Sequence, residues 1–217
     1  MHFEPGDLLI FYGRDFSSRV IEWATRGPSH VAIVCPHALA APPSGGGEST
    51  TRPPEGGTTN EGGTANMLLF ESTTLCDEPC VLTGKLISGV QAHEPESRID
   101  GYPGDVARLR LMPAWRLGRR EVELLHNWLM HVASEPYDLR GALISGTRLF
   151  KWTALMPYPD LGSLFCSELC AAALMRLHRL PLSNASLYNP ASLVREVRRC
   201  GTYGPPQVVK KLEECPA

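Results

Sequence analysis

The sequence predicts an α+β fold in which a small β-sheet packs against helices. Short apolar segments with the composition of buried strands lie in the first half of the chain, and segments with helical apolar spacing lie towards both ends. A sheet built from such strands and covered by such helices is an α+β arrangement. The main strand candidates are residues 7–12, 30–35 and 67–71, and the main helix candidates are residues 120–134, 163–180 and 190–199.

Each strand candidate is a short apolar run. Residues 7–12 (DLLIFY) are almost entirely apolar, and residues 30–35 (HVAIVC) are rich in β-branched side chains. Residues 67–71 (MLLFE) resume the strand pattern after a long polar segment. Weaker strands are predicted for residues 89–92 and 106–112.

The strongest helix is predicted for residues 163–180, where apolar side chains form a wide face. Residues 120–134 carry a single apolar stripe, and residues 190–199 begin with a proline, which is favoured in a first helical turn. A further helix is predicted for residues 17–25, and a looser one for residues 139–150. The tail after Gly201 shows little pattern.

The segment 42–66 consists almost wholly of Pro, Gly, Ser, Thr and Glu with almost no apolar side chains. Such a segment cannot bury enough surface to offset the entropy of ordering it, so we expect a disordered insert. Strand-like sequence resumes directly after it. We therefore expect one domain over residues 1–217, with a core at about 4–197.

Bulk composition excludes several function classes. The net charge of −2 and the sequence pI of about 6.4 provide no overall attraction to nucleic acid or to anionic membranes. No run of 18 apolar residues predicts a transmembrane helix, and the first residues do not resemble a signal peptide. We therefore expect a cytoplasmic protein.

The seven cysteines are an odd number, which favours reduced thiols over a disulfide framework. Cys76 and Cys80 are separated by three residues, whereas zinc sites more often use a spacing of two. A zinc-binding adaptor that uses these two thiols and neighbouring histidines is the weaker alternative. We predict no cofactor and no metal ligand.

Cys166 is the candidate nucleophile, since it lies in the first turn of the predicted helix 163–180. Unpaired backbone N–H groups and the helix dipole favour an anion at that position, and the thiolate is the reactive form of cysteine. The same N–H groups can bind the oxyanion of a tetrahedral intermediate. The alternative is a small buried hydrophobe, the interpretation we give to Cys170 one turn later.

His30 is the candidate base because it opens a strand directly after the turn Gly27-Pro28-Ser29, where an imidazole can face a cleft. The alternative is a half-exposed histidine at a strand end. The other histidines have weaker contexts: His2, His37, His93, His126, His131 and His178.

Glu71 ends the third predicted strand and is the candidate third member of the site. If the strands 30–35 and 67–71 form an antiparallel hairpin, the end of one lies beside the start of the other, and Glu71 and His30 can share a face. A register that pairs these two residues would place the carboxylate next to the imidazole. The long insert leaves that register open, and a solvated strand-end glutamate is the alternative.

Five stretches in order resemble the permuted papain-like cysteine peptidases and amidases, in the YiiX-like branch of the NlpC-type superfamily. They span roughly residues 4 to 197, and the insert and the tail are unmatched. The stretches are Pro5-Gly6-Asp7-Leu8-Leu9 with Ser29-His30-Val31-Ala32-Ile33-Val34 after a helix, Leu69-Phe70-Glu71-Ser72, Pro136-Tyr137-Asp138, Phe165-Cys166-Ser167-Glu168-Leu169, and Asn189-Pro190-Ala191-Ser192-Leu193.

The resemblance implies a circularly permuted papain-like fold, with a small antiparallel sheet packed against helices and the histidine before the cysteine. It also implies a thiol hydrolase in which Cys166 attacks, His30 is the base and Glu71 orients the imidazole. The implied substrates are peptide, amide or acyl-lipid bonds. An acyltransferase with the same mechanism and a binding module without turnover remain alternatives.

Overall fold

The computed structural model describes residues 1–14, 18, 22–23, 25–38, 66–74, 76–133 and 165–212, and its centre is an antiparallel sheet. Six strands form this sheet in the order β4-β3-β2-β1-β5-β6, so β2 and β1 lie in the middle. The strands are β1 (Leu8–Gly13), β2 (His30–Pro36), β3 (Met67–Thr73), β4 (Gly89–His93), β5 (Gly104–Leu109) and β6 (Gln207–Lys210).

Four α-helices of the described chain pack around the sheet. They are α1 (Pro95–Gly101), α2 (Arg119–Val132), α3 (Cys166–Arg176) and α4 (Pro190–Arg199), and short 3-10 turns lie at Pro113–Trp115 and Ala185–Leu187. All residues of α3 except Arg176 are buried, which explains why its apolar face in the sequence is so wide.

The sheet buries apolar side chains on both faces. The larger cluster contains alternate residues of β2, such as Val31 and Ile33, together with residues of α2, α3 and α4. The smaller cluster contains Ala32 and Val34 on the opposite face, together with Ile99 of α1. Because β2 is covered on both sides, it forms a nearly continuous apolar run and does not alternate with polar residues.

The predicted α+β class and the three main strands are confirmed, and α4 has the predicted bounds. The strand predicted at residues 106–112 is shifted, because β5 begins at Gly104 and ends at Leu109. The neighbouring strand β1 starts at Leu8, which lies opposite Leu109. The residues after Leu109 therefore have no residue of β1 opposite them. Leu111 instead forms an isolated bridge to Tyr203.

The predicted helix 163–180 ends early, at Arg176. His178 has a left-handed backbone with φ of 54°, and its N–H donates to the Met175 carbonyl at 3.1 Å, while Arg179 N donates to the Leu174 carbonyl at 2.8 Å. These two bonds are those of a Schellman motif, which closes a helix. The sequence predicted a longer helix because a glycine usually occupies the left-handed position at a helix end, and here that residue is His178.

Two elements were not predicted. Helix α1 begins with Pro95 in its first turn, and β6 lies in the tail after Gly201, which showed little pattern. All four residues of β6 are at least partly exposed, so the strand lacks the apolar run that would identify it. Its backbone pairs with β5 at the edge of the sheet.

Several predictions fall on residues outside the described part of the chain. They are the disordered insert 42–66 apart from Asn66, most of the helix 17–25, the helix 139–150, the stretch 136–138 and the first residues of the helix 163–180. Among the described helices, none combines the length and the apolar character needed to span a membrane.

Candidate active site

Cys166 is the first residue of α3 and is 6% exposed. The preceding residue, Phe165, is extended, and its carbonyl accepts the first helical hydrogen bond from Leu169 N at 3.0 Å. The N–H groups of the first turn have no acceptor within the helix, and they give this end a partial positive charge. The thiol therefore lies where a thiolate, or the oxyanion formed after its attack, is electrostatically favoured.

His30 is the first residue of β2, and the preceding Ser29 fixes its backbone against β1. Ser29 N donates to the Phe11 carbonyl at 3.0 Å, and Ser29 Oγ accepts from Gly13 N at 3.2 Å. The rings of His30 and Phe11 pack with their centroids 5.4 Å apart. The imidazole, which is 15% exposed, is thus held by a central strand rather than by a loop.

Glu71 lies on β3 and is fully buried, and its Oε2 accepts from His30 Nε2 at 2.6 Å. The register, which the sequence left open, does not pair these two residues directly: Ile33 pairs with Phe70, which places Ala32 opposite Glu71 and His30 two residues further along. The carboxylate and the imidazole share a face and meet diagonally, which is within the reach of long side chains on neighbouring strands.

Cys166 lies near enough to His30 to influence its ionisation. Burial of the imidazole favours its neutral form, but the interactions with Cys166 and with the Glu71 carboxylate outweigh burial and raise the pKa of His30 to about 9. The three residues named from the sequence therefore lie in one cluster, in which the histidine interacts with both of the others.

Arg98 of α1 is a fourth member of this cluster that was not predicted. Its Nε donates to Glu71 Oε1 at 2.6 Å, and its guanidinium lies over the rings of Phe11 and Tyr102. Burial favours the neutral acid of Glu71, but His30 and Arg98 outweigh burial and lower the pKa of Glu71 to about 2. The proline at the start of α1 was the available sequence signal for this helix.

The start of α3 and the start of β2 are joined through α4. Ser167 Oγ donates to the Tyr188 carbonyl at 2.7 Å, which ties α3 to the segment before α4. Asn189 caps α4 with a capping box, since its Oδ1 accepts from Ser192 N at 2.8 Å. A Cβ on Gly27 would lie 2.4 Å from the Ala191 Cβ, so α4 packs directly on the turn before His30.

A second cluster shares Glu71. The donor atoms of Glu71, Cys76 and His93 all lie within 4.8 Å of one another. His93, whose context in the sequence was weak, is almost fully buried at the end of β4. Cys80 does not join this cluster, because its side chain lies in the larger core cluster and its sulfur accepts from Ala92 N.

The six described cysteines are free thiols, and Cys170 is a core residue as predicted.

Comparisons with known proteins find a likeness of fold. The crystal structure of metalloprotein yiiX from Escherichia coli O157:H7 matches with a TM-score of 0.53 and 13% sequence identity, over 96% of this chain and 97% of that chain. At this identity the likeness concerns the fold alone. No family model matches the sequence, and no curated protein matches it.

Proposed function

We propose that this chain is a cysteine-dependent hydrolase that cleaves an amide, peptide or ester bond through a thioester acyl-enzyme. Cys166 is the nucleophile, His30 the general base and acid, and Glu71 the residue that orients the imidazole. One observation carries the proposal: His30 hydrogen-bonds to a buried carboxylate and interacts electrostatically with a thiol at a helix start. A thiol beside a base that a third group orients is the arrangement typical of nucleophilic cysteine catalysis.

In the proposed reaction, His30 holds the proton of Cys166, and the thiolate attacks the acyl carbon of the substrate. The N–H groups at the start of α3 bind the oxyanion, and the imidazolium gives its proton to the leaving amine or alcohol. A thioester to the sulfur remains. His30 then takes a proton from water, the hydroxyl attacks the thioester, and the acid leaves while the thiol regains its proton.

Glu71 acts through His30 and does not touch the substrate in this mechanism. Its hydrogen bond fixes the ring orientation, and its negative charge stabilises the imidazolium. Arg98 keeps Glu71 ionised and in place by donating to the oxygen that His30 does not use. Arg98 is therefore a positioning residue.

The alternatives are an acyltransferase with the same acyl-enzyme and a binding module without turnover. Acyl transfer differs only in the second step, where an amine or alcohol replaces water. Product analysis with added amine or alcohol acceptors separates the two enzymes.

The proposal is tested with a panel of electrophilic acyl and peptide probes on the wild-type protein, with adducts located by peptide mass spectrometry. We expect a stoichiometric adduct on Cys166 with at least one probe class, and none on this peptide in Cys166→Ala. Cys200→Ala is the matched control and should label like the wild type. Slow, uniform labelling of all thiols would instead support the binding module.

A further inference from the structure

Cys76, His93 and Glu71 bring three potential metal-ligand atoms within 4.8 Å of one another. Cys76 Sγ lies 3.5 Å from His93 Nε2, and His93 Nε2 lies 3.6 Å from Glu71 Oε1. Tetrahedral zinc with bonds of about 2.0–2.3 Å places neighbouring donor atoms about 3.3–3.6 Å apart. We infer that these three side chains form a binding site for a soft divalent cation such as Zn²⁺, with a fourth position open to solvent or another ligand.

The backbone places two of the three donors rigidly. Glu71 and His93 lie on the paired strands β3 and β4, where Glu71 is opposite Gln91 and His93 is opposite Leu69. Cys76 follows the end of β3 by three residues, so a short connection brings its thiol over the strand ends. A site built on a sheet requires little ordering when the ion binds, which favours affinity.

A carboxylate also lies behind His93. Glu78 Oε2 is 3.9 Å from the other ring nitrogen, Nδ1, which is beyond hydrogen-bond distance, and Glu78 accepts from Ser97 Oγ at 3.4 Å. A small movement of Glu78 would give the carboxylate–histidine contact that recurs behind metal-binding histidines.

The charges around the cluster favour a cation. Cys76 loses its proton to solvent as the metal–sulfur bond forms, with no change of oxidation state. The thiolate, Glu71 and Glu78 then carry three negative charges, whereas Arg98 and the protonated His30 carry two positive charges. The net charge of these surrounding groups is negative, which attracts a cation. A thiolate, an imidazole and a carboxylate together favour zinc over magnesium or calcium.

The test is zinc binding by Cys166→Ala protein under reducing conditions, measured by competition with a chromophoric chelator. This background removes the proposed nucleophile, so the result does not depend on the proposed hydrolase activity. We expect one zinc ion per chain, and an affinity at least about 10-fold lower after Cys76→Ser or His93→Gln. Cys200→Ser, which alters another partly exposed thiol, should bind zinc unchanged. Equal affinity in all variants, or loss in Cys200→Ser alone, would overturn the site.

A second measurement covers the case in which a ligand variant fails to fold. Co²⁺ added to the Cys166→Ala protein should give a near-ultraviolet thiolate-to-metal band with the intensity of one sulfur ligand. The same addition should protect Cys76, and not Cys200, from alkylation. A spectrum without a thiolate band, or with that of two sulfur ligands, would contradict the inferred ligand set.

Discussion

Glu71→Gln is expected to lower kcat by roughly 10²- to 10⁴-fold on any substrate that the wild-type protein turns over, while the chain stays folded. Glutamine has nearly the same shape and can still hydrogen-bond to His30 and Arg98, but it carries no charge. The imidazolium formed during thiol attack loses its electrostatic support. The comparison requires kcat and KM of the two proteins together with their far-ultraviolet circular dichroism.

The dependence of kcat on pH distinguishes an electrostatic role of Glu71 from a purely structural one. Only an electrostatic role predicts that the profile shifts along the pH axis when the charge is removed. The imidazolium donates the proton to the leaving group, so the wild-type rate should fall as pH rises through about 9, the pKa of His30. Removing the Glu71 charge destabilises the imidazolium, so in Glu71→Gln this alkaline limb should move to lower pH. The profiles are measured with a metal chelator present.

The same pKa values set the pH range in which this pair stabilises the fold. The native pKa of His30 lies above its ordinary 6.5, so its contribution is complete below pH 6.5 and is lost as pH rises through about 9. The native pKa of Glu71 lies below its ordinary 4.5, so its contribution is present above pH 4.5 and is lost as pH falls through about 2.

Glu123→Gln is the matched control for Glu71→Gln, since it removes a carboxylate that is also paired with an arginine, Arg119, but on an exposed part of α2. It should leave kcat and the alkaline limb unchanged. An unchanged kcat in Glu71→Gln would remove Glu71 from the catalytic site, and a lowered kcat with an unmoved limb would restrict its role to packing.

Arg108→Met is expected to lower the free energy of unfolding by about 3–5 kcal/mol at pH 7. Arg108 on β5 is buried and donates to Asp7 Oδ2 and, at 2.6 Å, to the His2 carbonyl. Methionine has a similar length but cannot donate, so among the described residues the buried Asp7 carboxylate keeps only the Glu4 N–H, 2.8 Å away. The uncompensated buried charge causes most of this decrease. The free energy of unfolding of the two proteins is measured by urea denaturation.

Two comparisons test whether the buried charge of Asp7 causes the loss of stability in Arg108→Met. Asp7→Asn combined with Arg108→Met should recover most of the loss, because a neutral amide can still accept from Glu4 N. Burial already raises the pKa of Asp7, and Arg108 opposes this rise. Its removal should raise that pKa further, so the Arg108→Met defect should shrink as pH falls. A loss below about 1 kcal/mol, or a double variant worse than the single one, would contradict this explanation.

The sequence predicted the elements that have a strong local pattern. Strand β2 is a continuous β-branched run because both of its faces are buried, and α3 was recognisable from its apolar residues alone. The position of Cys166 at the start of α3 followed from the same pattern. These features depend on neighbours in the sequence, which a single sequence contains.

The sequence could not fix features that depend on pairing between distant segments. The diagonal contact between His30 and Glu71 depends on the β2–β3 register, which the long insert leaves open. Arg98 and His93 reach Glu71 only because α1 and β4 fold back onto β3. Strand β6 depends on backbone bonds to β5 at a sheet edge, and such bonds leave little trace in side-chain composition.

The rate of Cys166 alkylation at pH 6 tests the central proposal most directly. Brief treatment with iodoacetamide in the presence of a chelator, followed by peptide mass spectrometry, should modify Cys166 before the other thiols, and His30→Ala should slow this modification. Burial raises the pKa of Cys35 to about 12 and also raises those of Cys76, Cys170 and Cys200, so these thiols should stay protonated. Earlier labelling of Cys76, Cys170 or Cys200, or an equal rate in His30→Ala, would contradict the assignment of Cys166 and His30 as the reactive pair.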